Sequence, residues 1–282
     1  MPACVSCGRE IPPVPSGELN ICPECRAASL ARAPSQNQQP ARRRSLALQN
    51  MPVTSVLIGL NVLVFVLMVL SGVSFTTPDN RQLVNWGANW GPYTLTSQPW
   101  RLLTCTYVHI GIIHIALNMW CLWNLGALAE RIFDRWTYVL GYTWCGIAGS
   151  IFGLWWHPGV PEAGASGAIF GIAGLLISAL YLGHLPVHPS ALKATLRSLL
   201  SFAGYNLFFG AVIPGISNAA HLGGLITGLG LGAVLAPRLT APPDERNSRL
   251  RWIFIVASVL LLILFRVVRR AVLPALAGPD GR

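Results

Sequence analysis

The chain has 282 residues, 53% of them hydrophobic and 11% charged, with a formal net charge of +10 and a mean hydropathy of +0.53. Soluble domains carry roughly 25% charged residues, so this composition excludes an ordinary soluble globular protein and points to a membrane. The positive excess is then informative through its distribution along the chain, and no nucleic-acid partner is expected from it.

The N-terminal stretch is polar and has no apolar run of the kind a secretory signal needs, so no signal peptide is expected. It contains Cys4-x2-Cys7 and Cys22-x2-Cys25. Two such knuckles at this separation are the ligand pattern of a closed tetrahedral Cys4 zinc site. The competing arrangement is a pair of disulfides, which a reducing cytoplasm disfavours. Residues 1–28 are therefore expected to form a zinc-ribbon-like module holding a structural Zn2+, open to a protein partner or to a regulatory role. Residues 29–50, rich in Ala, Pro, Ser and Gln and containing Arg42, Arg43 and Arg44, are expected to be a basic disordered linker.

A bilayer core of about 30 Å needs roughly 20 apolar helical residues. Candidate spans are 53–73, 108–128, 137–155, 164–185, 192–213 and 219–236. These place a six-helix core within 51–238, followed by a C-terminal loop, a seventh helix and a tail within 239–282. The seventh segment, 252–265, is short. It is expected to tilt and recruit Val267 and Val268 as a span, the alternative being a helix at the interface.

Arg9, Arg26, Arg32 and Arg42 to Arg44 put the N-terminus in the cytoplasm. Alternation then places Arg131, Arg135, Lys193, Arg238, Arg246, Arg249 and Arg251 inside as well, and the loops 74–100, 156–163 and 214–218 outside. Seven spans would leave Arg266, Arg269 and Arg270 outside, which six would avoid. The long loop 74–100 carries Trp86, Trp90 and Trp100 and is expected to be an ordered interfacial hairpin. Cys105, Cys121 and Cys145 read as small hydrophobes in helix interiors.

Polar groups within apolar spans are costly and so are candidates for function. Ser166, in Gly164-Ala165-Ser166-Gly167, opens the fourth span, and His221, in Ala220-His221-Leu222-Gly223-Gly224, opens the sixth. Both spans run from outside to inside, so the two residues lie at similar depth, as a nucleophile and its base require. His114 and Asn118 share one face of the second span by their i, i+4 spacing and are placed to stabilise an oxyanion together with the Ser166 backbone N–H. Gly167 and Gly171, and Gly224, Gly228 and Gly232, have the spacing that brings transmembrane helices into backbone contact. Alone, Gly-Ala-Ser-Gly is more often a helix-packing patch. The conjunction with histidine, the His-x3-Asn face and matched depths favours a serine–histidine pair. His109, His157, His184 and His188 fall near helix ends or in loops and receive no role.

On these residues the chain resembles the rhomboid family of intramembrane serine proteases over about 53–236. Trp100-Arg101 is similar to the family's tryptophan–arginine pair in the first outer loop. His114-x3-Asn118, Glu130-Arg131, Gly164-x-Ser166-Gly167 and His221 with Gly224 and Gly228 resemble its remaining motifs. The resemblance implies an all-α polytopic membrane fold whose short fourth helix lifts Ser166 into a water-filled cavity. It also implies a Ser166–His221 dyad without an acid, and an oxyanion hole of His114, Asn118 and the Ser166 amide. The implied partners are transmembrane protein substrates and the lipid bilayer, with no cofactor for catalysis. Phe170 stands where some members carry a tyrosine that stacks under the histidine, and Asp134 stands where a glycine is expected. The implied location is a bacterial inner (plasma) membrane, with the active site opening to the outer side. The alternative function is a rhomboid-like protein that binds transmembrane clients without cutting them.

Overall fold

The computed structural model describes residues 3–12, 20–25, 51–213, 215–239 and 243–276. They belong to two compact units, Met1–Ala47 and Leu48–Arg282. The expected linker, 29–50, lies outside the described residues. In the first unit Cys4, Ile11 and Cys22 make a small buried cluster.

Among the described residues, the regular elements of the second unit are all helices. Its elements are α1 (Pro52–Leu70), α2 (Asn80–Asn85), α3 (Gly91–Thr94), α4 (Arg101–Thr104), α5 (Gly111–Ile132), α6 (Arg135–Trp156), α7 (Ser166–Leu182), α8 (Pro189–Val212), α9 (Asn218–Leu235) and α10 (Pro243–Leu276). Helix starts follow local chemistry. Proline occupies the first turn of α1 and α8, where its missing N–H costs nothing. Asp134 caps α6 by accepting from the N–H groups of Trp136 and Thr137 at 3.1 Å each. Where the family pattern expects glycine, the chain thus carries an N-cap.

Pro52–Leu70, Gly111–Ile132, Asn218–Leu235 and Leu250–Leu276 are each long and apolar enough to cross a membrane. The helices α6 and α8, both expected as spans, fall short of that apolarity. The central helix α7 has 17 residues, all apolar or small, and 13 of them are buried. At about 1.5 Å per residue it is roughly 25 Å long, shorter than the hydrocarbon core. Surrounded by its neighbours, α7 can begin below the level at which they begin.

The loop 74–100 is ordered, as expected, but it is a series of short helices and turns rather than a hairpin. Arg101 braces it by donating to the carbonyls of Val84 (2.6 Å) and Ala88 (3.0 Å) and to Gln98 Oε1 (2.7 Å). Its guanidinium also lies over the rings of Trp100 and Tyr93. Cys105 follows α4 and contacts Ser150 Oγ at 3.1 Å, so it is not a helix-interior residue.

Three loops meet at one end of the bundle. Asn89 and Glu162 exchange both backbone hydrogen bonds (2.9 and 2.8 Å), and the Gly91 N–H donates to Pro158 O at 2.9 Å. The Ser217 hydroxyl donates to Glu162 Oε1. The loops before α5, α7 and α9 therefore share one side, as the alternation of spans requires. The far end of α10 arrives there too. Val268 and Val272 pack with Leu95 and Leu102, and Leu276 lies against Gly91. The seventh segment is thus a full helix across the bundle, longer than 252–265, and Arg266, Arg269 and Arg270 lie toward the loop end. At the opposite end Glu130 accepts from the Thr54 N–H at 2.7 Å, capping α1.

Candidate active site

Ser166 is the first residue of α7, where backbone N–H groups have no intrahelical partner. Gly164 has φ +130, a conformation that side chains rarely adopt, and a Cβ there would lie 2.6 Å from Cε1 and 2.8 Å from Nε2 of His114. Glycine is required at this position both for the turn and for the close approach of the His114 ring.

His221 lies in the first turn of α9, and its buried imidazole stacks on Phe170 at 4.3 Å between centroids and 11° between planes. Ring stacking therefore holds without a phenol. The two helices touch along glycine. A Cβ on Gly224 would overlap the carbonyl of Gly167, and one on Gly228 would overlap that of Gly171. A Cβ on Gly167 would sit 3.3 Å from Ala220 O, so the residues after Ser166 and before His221 are in van der Waals contact. The first turns of α7 and α9 are thus in contact, with no hydrogen bond between the Ser166 and His221 side chains. Such bonds are often long in a resting site and tighten on substrate binding. His221 Nδ1 is buried and without a hydrogen-bond partner.

His114 Nδ1 accepts a hydrogen bond from the Ile110 N–H at 3.2 Å. In the neutral ring this places the proton on Nε2, the nitrogen that faces Gly164 and the start of α7. A donor is thus aimed where an oxyanion beside Ser166 would form. Asn118 is buried on the same face, but its amide donates to His114 O at 3.0 Å, back along its own helix. Arg131 is on the last turn of α5, and Glu130 turns to α1. Trp100, Arg101, Glu130 and Arg131 thus lie away from Ser166 and His221, and Arg101 and Glu130 bond to the scaffold.

Two features escaped the sequence reading. His109, left without a role, is fully buried with its ring 5.3 Å from that of His114. Glu162 and Ser217, joined by a hydrogen bond, each stand four residues before Ser166 and His221. The only available signal was this spacing, which has no helix behind it in the loop at 162.

In the first unit the sulfurs of Cys4, Cys7, Cys22 and Cys25 all lie within 4.8 Å of one another. A tetrahedral Zn2+ with Zn–S bonds of about 2.3 Å requires sulfurs about 3.8 Å apart. Cys7 and Cys22 are at 3.7 Å. The backbone N–H of Cys22 points at Cys4 Sγ (3.2 Å) and that of Cys25 at Cys22 Sγ (3.4 Å), as expected where knuckle amides stabilise thiolates. The donor set fits the ion.

Residues 96–238 match the model of the Rhomboid domain. The chain is 37% identical over 182 residues to "Rhomboid protease GluP" of Bacillus subtilis (strain 168), covering 64% of this chain and 34% of that protein. It is 35% identical over 176 residues to "RHOMBOID-like protein 6, mitochondrial" of Arabidopsis thaliana, covering 62% and 56%. It is also 30% identical over 166 residues to "Inactive RHOMBOID-like protein 8" of the same plant, covering 58% and 46%. The matched regions span between about a third and somewhat over half of these relatives.

Proposed function

The chain belongs to the rhomboid family, and on that premise we propose that it is an intramembrane serine endopeptidase that hydrolyses peptide bonds in or near transmembrane segments through a Ser166–His221 dyad. The observation that carries this reading is the stacked His221, held by Phe170 and by the Gly224–Gly167 contact against the first turn of a helix that begins at Ser166. The His221 imidazole takes the Ser166 proton as Oγ attacks the scissile carbonyl, then returns it to the leaving amine. His114 Nε2–H and the Ser166 amide stabilise the tetrahedral oxyanion, and the Asn118 amide joins them by rotating from the His114 carbonyl. No metal takes part in catalysis.

The protein is an integral membrane protein. Its proposed location is a bacterial inner (plasma) membrane, with the N-terminus cytoplasmic and the site opening to the outer side. The proposed organisation is a zinc-ribbon-like module over 1–28, a linker over 29–50, the catalytic core over 51–238 and the C-terminal helix and tail over 239–282. Cys4, Cys7, Cys22 and Cys25 hold a structural Zn2+ that stabilises a module too small to have a sufficient core. Stoichiometric zinc in the purified full chain, lost in Cys4→Ser with Cys22→Ser, tests this, and metal-free protein contradicts it.

The decisive experiment reconstitutes the full chain with a model transmembrane substrate. Wild type cleaves and Ser166→Ala does not. Equal cleavage by both would remove the reading. The second reading, a non-proteolytic client binder, draws on the likeness to a relative named inactive. It predicts that a fluorophosphonate leaves Ser166 unlabelled in folded protein.

A further inference from the structure

Glu162 is the carboxylate nearest the serine in sequence, and its surroundings are unusually convergent. Its backbone is clamped to Asn89 of the long loop by two hydrogen bonds of 2.8 and 2.9 Å. The Asn89 side chain in turn donates to Ser150 O on α6 at 2.9 Å. The carboxylate lies against Gly153 of α6, where any side chain would collide with it. Its Oε1 accepts from the hydroxyl of Ser217.

Ser217 is no ordinary partner. It is the N-cap of α9, its Oγ accepting from the Ala220 N–H at 3.2 Å while its own carbonyl accepts from the His221 N–H at 3.2 Å. A displacement of Ser217 is therefore passed to the first turn of α9 and to His221. On the other side, Glu162 is joined to Ser166 through Ala163, Gly164 and Ala165 alone. Gly164 is fixed by its N–H donating to Cys105 O at 2.9 Å.

We propose that Glu162 is a positioning residue for the Ser166–His221 pair, its carboxylate locking the loop that delivers Ser166 to the cap of the helix that carries His221. The inference rests on the proposed dyad. The lock is one turn above the reacting atoms, ties the two elements that bear them, and touches neither substrate nor nucleophile. Oxygen acceptors that are ionised make stronger hydrogen bonds than neutral ones. The groups facing the carboxylate are Asn89 from the long loop, the Cys105 thiol from the segment after α4, the Gly153 backbone from α6 and Ser217 at the cap of α9. Burial pushes the Cys105 thiol up to about 12, so it is neutral, and none of these groups carries a charge at neutral pH. Burial also pushes the Glu162 carboxyl up to about 7, against the opposing hydrogen bonds from Ser217 and Asn89. The lock is consequently at full strength above neutrality.

The test uses the full chain in lipid vesicles with a transmembrane substrate, reading kcat, KM and the rate of fluorophosphonate labelling at pH 6 and pH 8. Glu162→Gln preserves shape and removes the charge. It should lower kcat and labelling roughly tenfold at pH 8, with KM within about twofold, since small misplacement of a reacting group costs this much or more. At pH 6 it should converge on wild type. Ser217→Thr keeps the hydroxyl and should retain activity, whereas Ser217→Ala should match Glu162→Gln at pH 8. Thermal unfolding of each variant separates misfolding from mispositioning. Glu162→Gln that tracks wild type at both pH values, in a protein inactivated by Ser166→Ala, overturns the positioning role and leaves the dyad standing. Activity surviving Ser166→Ala overturns the dyad itself.

Discussion

Phe170 lies flat beneath His221, the two rings 11° from parallel and 4.3 Å apart, and the tilted ring of Phe202 packs on Phe170 at 5.4 Å. The imidazole has no hydrogen-bonded carboxylate to orient it, so this apolar shelf and the α9 backbone fix its plane. An aromatic pair of this kind contributes about 0.5–1.5 kcal/mol beyond area burial. Phe170→Ala should lower kcat roughly tenfold with the protein still folded, while Phe170→Tyr should stay within about threefold of wild type. Steady-state cleavage of a transmembrane substrate checks both. A Phe170→Ala enzyme with wild-type kcat would mean the shelf does not orient the base.

The approach of α7 to α9 is as close as backbones allow, because glycine faces carbonyl at Gly224 and again at Gly228. Gly174 repeats the pattern from the other helix, where a Cβ would lie 2.5 Å from Leu225 O. Packing of this kind replaces the hydrophobic drive that is absent inside a bilayer. Gly224→Val should separate the helices at the level of Ser166 and abolish fluorophosphonate labelling along with cleavage. Gly230, whose Cβ position is open, should tolerate alanine with activity within about twofold. Labelling of both variants in vesicles distinguishes the two sites.

Much of this was legible because apolar runs and glycine spacing are direct consequences of life in a bilayer. The helices and the shared side of three loops follow from counting crossings, and the glycine spacing anticipates the close packing of α7 on α9. What was not legible lies where side chains act across loops. Glu162 and Ser217 are distant in sequence and sit in segments with no periodicity, so no pattern couples them. In sequence His109 stands near a helix end and carries no pattern, yet it is fully buried beside the ring of His114. The seventh helix was ambiguous because Arg266, Arg269 and Arg270 break its apolar run, and only its contact with Gly91, Leu95 and Leu102 brings it to the loop end.

The orientation of His114 is set by one backbone amide. With the Ile110 N–H on Nδ1, the proton rests on Nε2 and faces the start of α7. Removing one oxyanion donor typically costs about 10²–10³ in kcat. His114→Ala should lose rate in that range with KM little changed. Asn118→Ala should lose less, since its amide is turned to His114 O in the resting state. A single-turnover assay that finds the reverse order would assign the principal donor to Asn118.

Glu162 also couples fold stability to pH, and in a direction opposite to most carboxylates. Its carboxyl titrates near 7 in the folded protein against an ordinary value of 4.5, chiefly because burial disfavours the charge. Between these two values the folded chain holds a proton that the unfolded chain has released. Stability from this group is therefore complete below about pH 4.5, falls as pH rises toward 7, and is constant above it. In an inactive Ser166→Ala background, which prevents self-cleavage, the unfolding temperature of the Glu162-containing protein should fall relative to that of Glu162→Gln between pH 5 and pH 8. The comparison cancels every other titrating group. A difference that is flat, or that grows in favour of Glu162 with rising pH, would show that the carboxylate is not held in a charge-disfavouring site. The ionised form thus weakens the fold in the same range where it strengthens the bond to Ser217, which is how strain at a site and alignment of its reacting groups come to rest on one side chain.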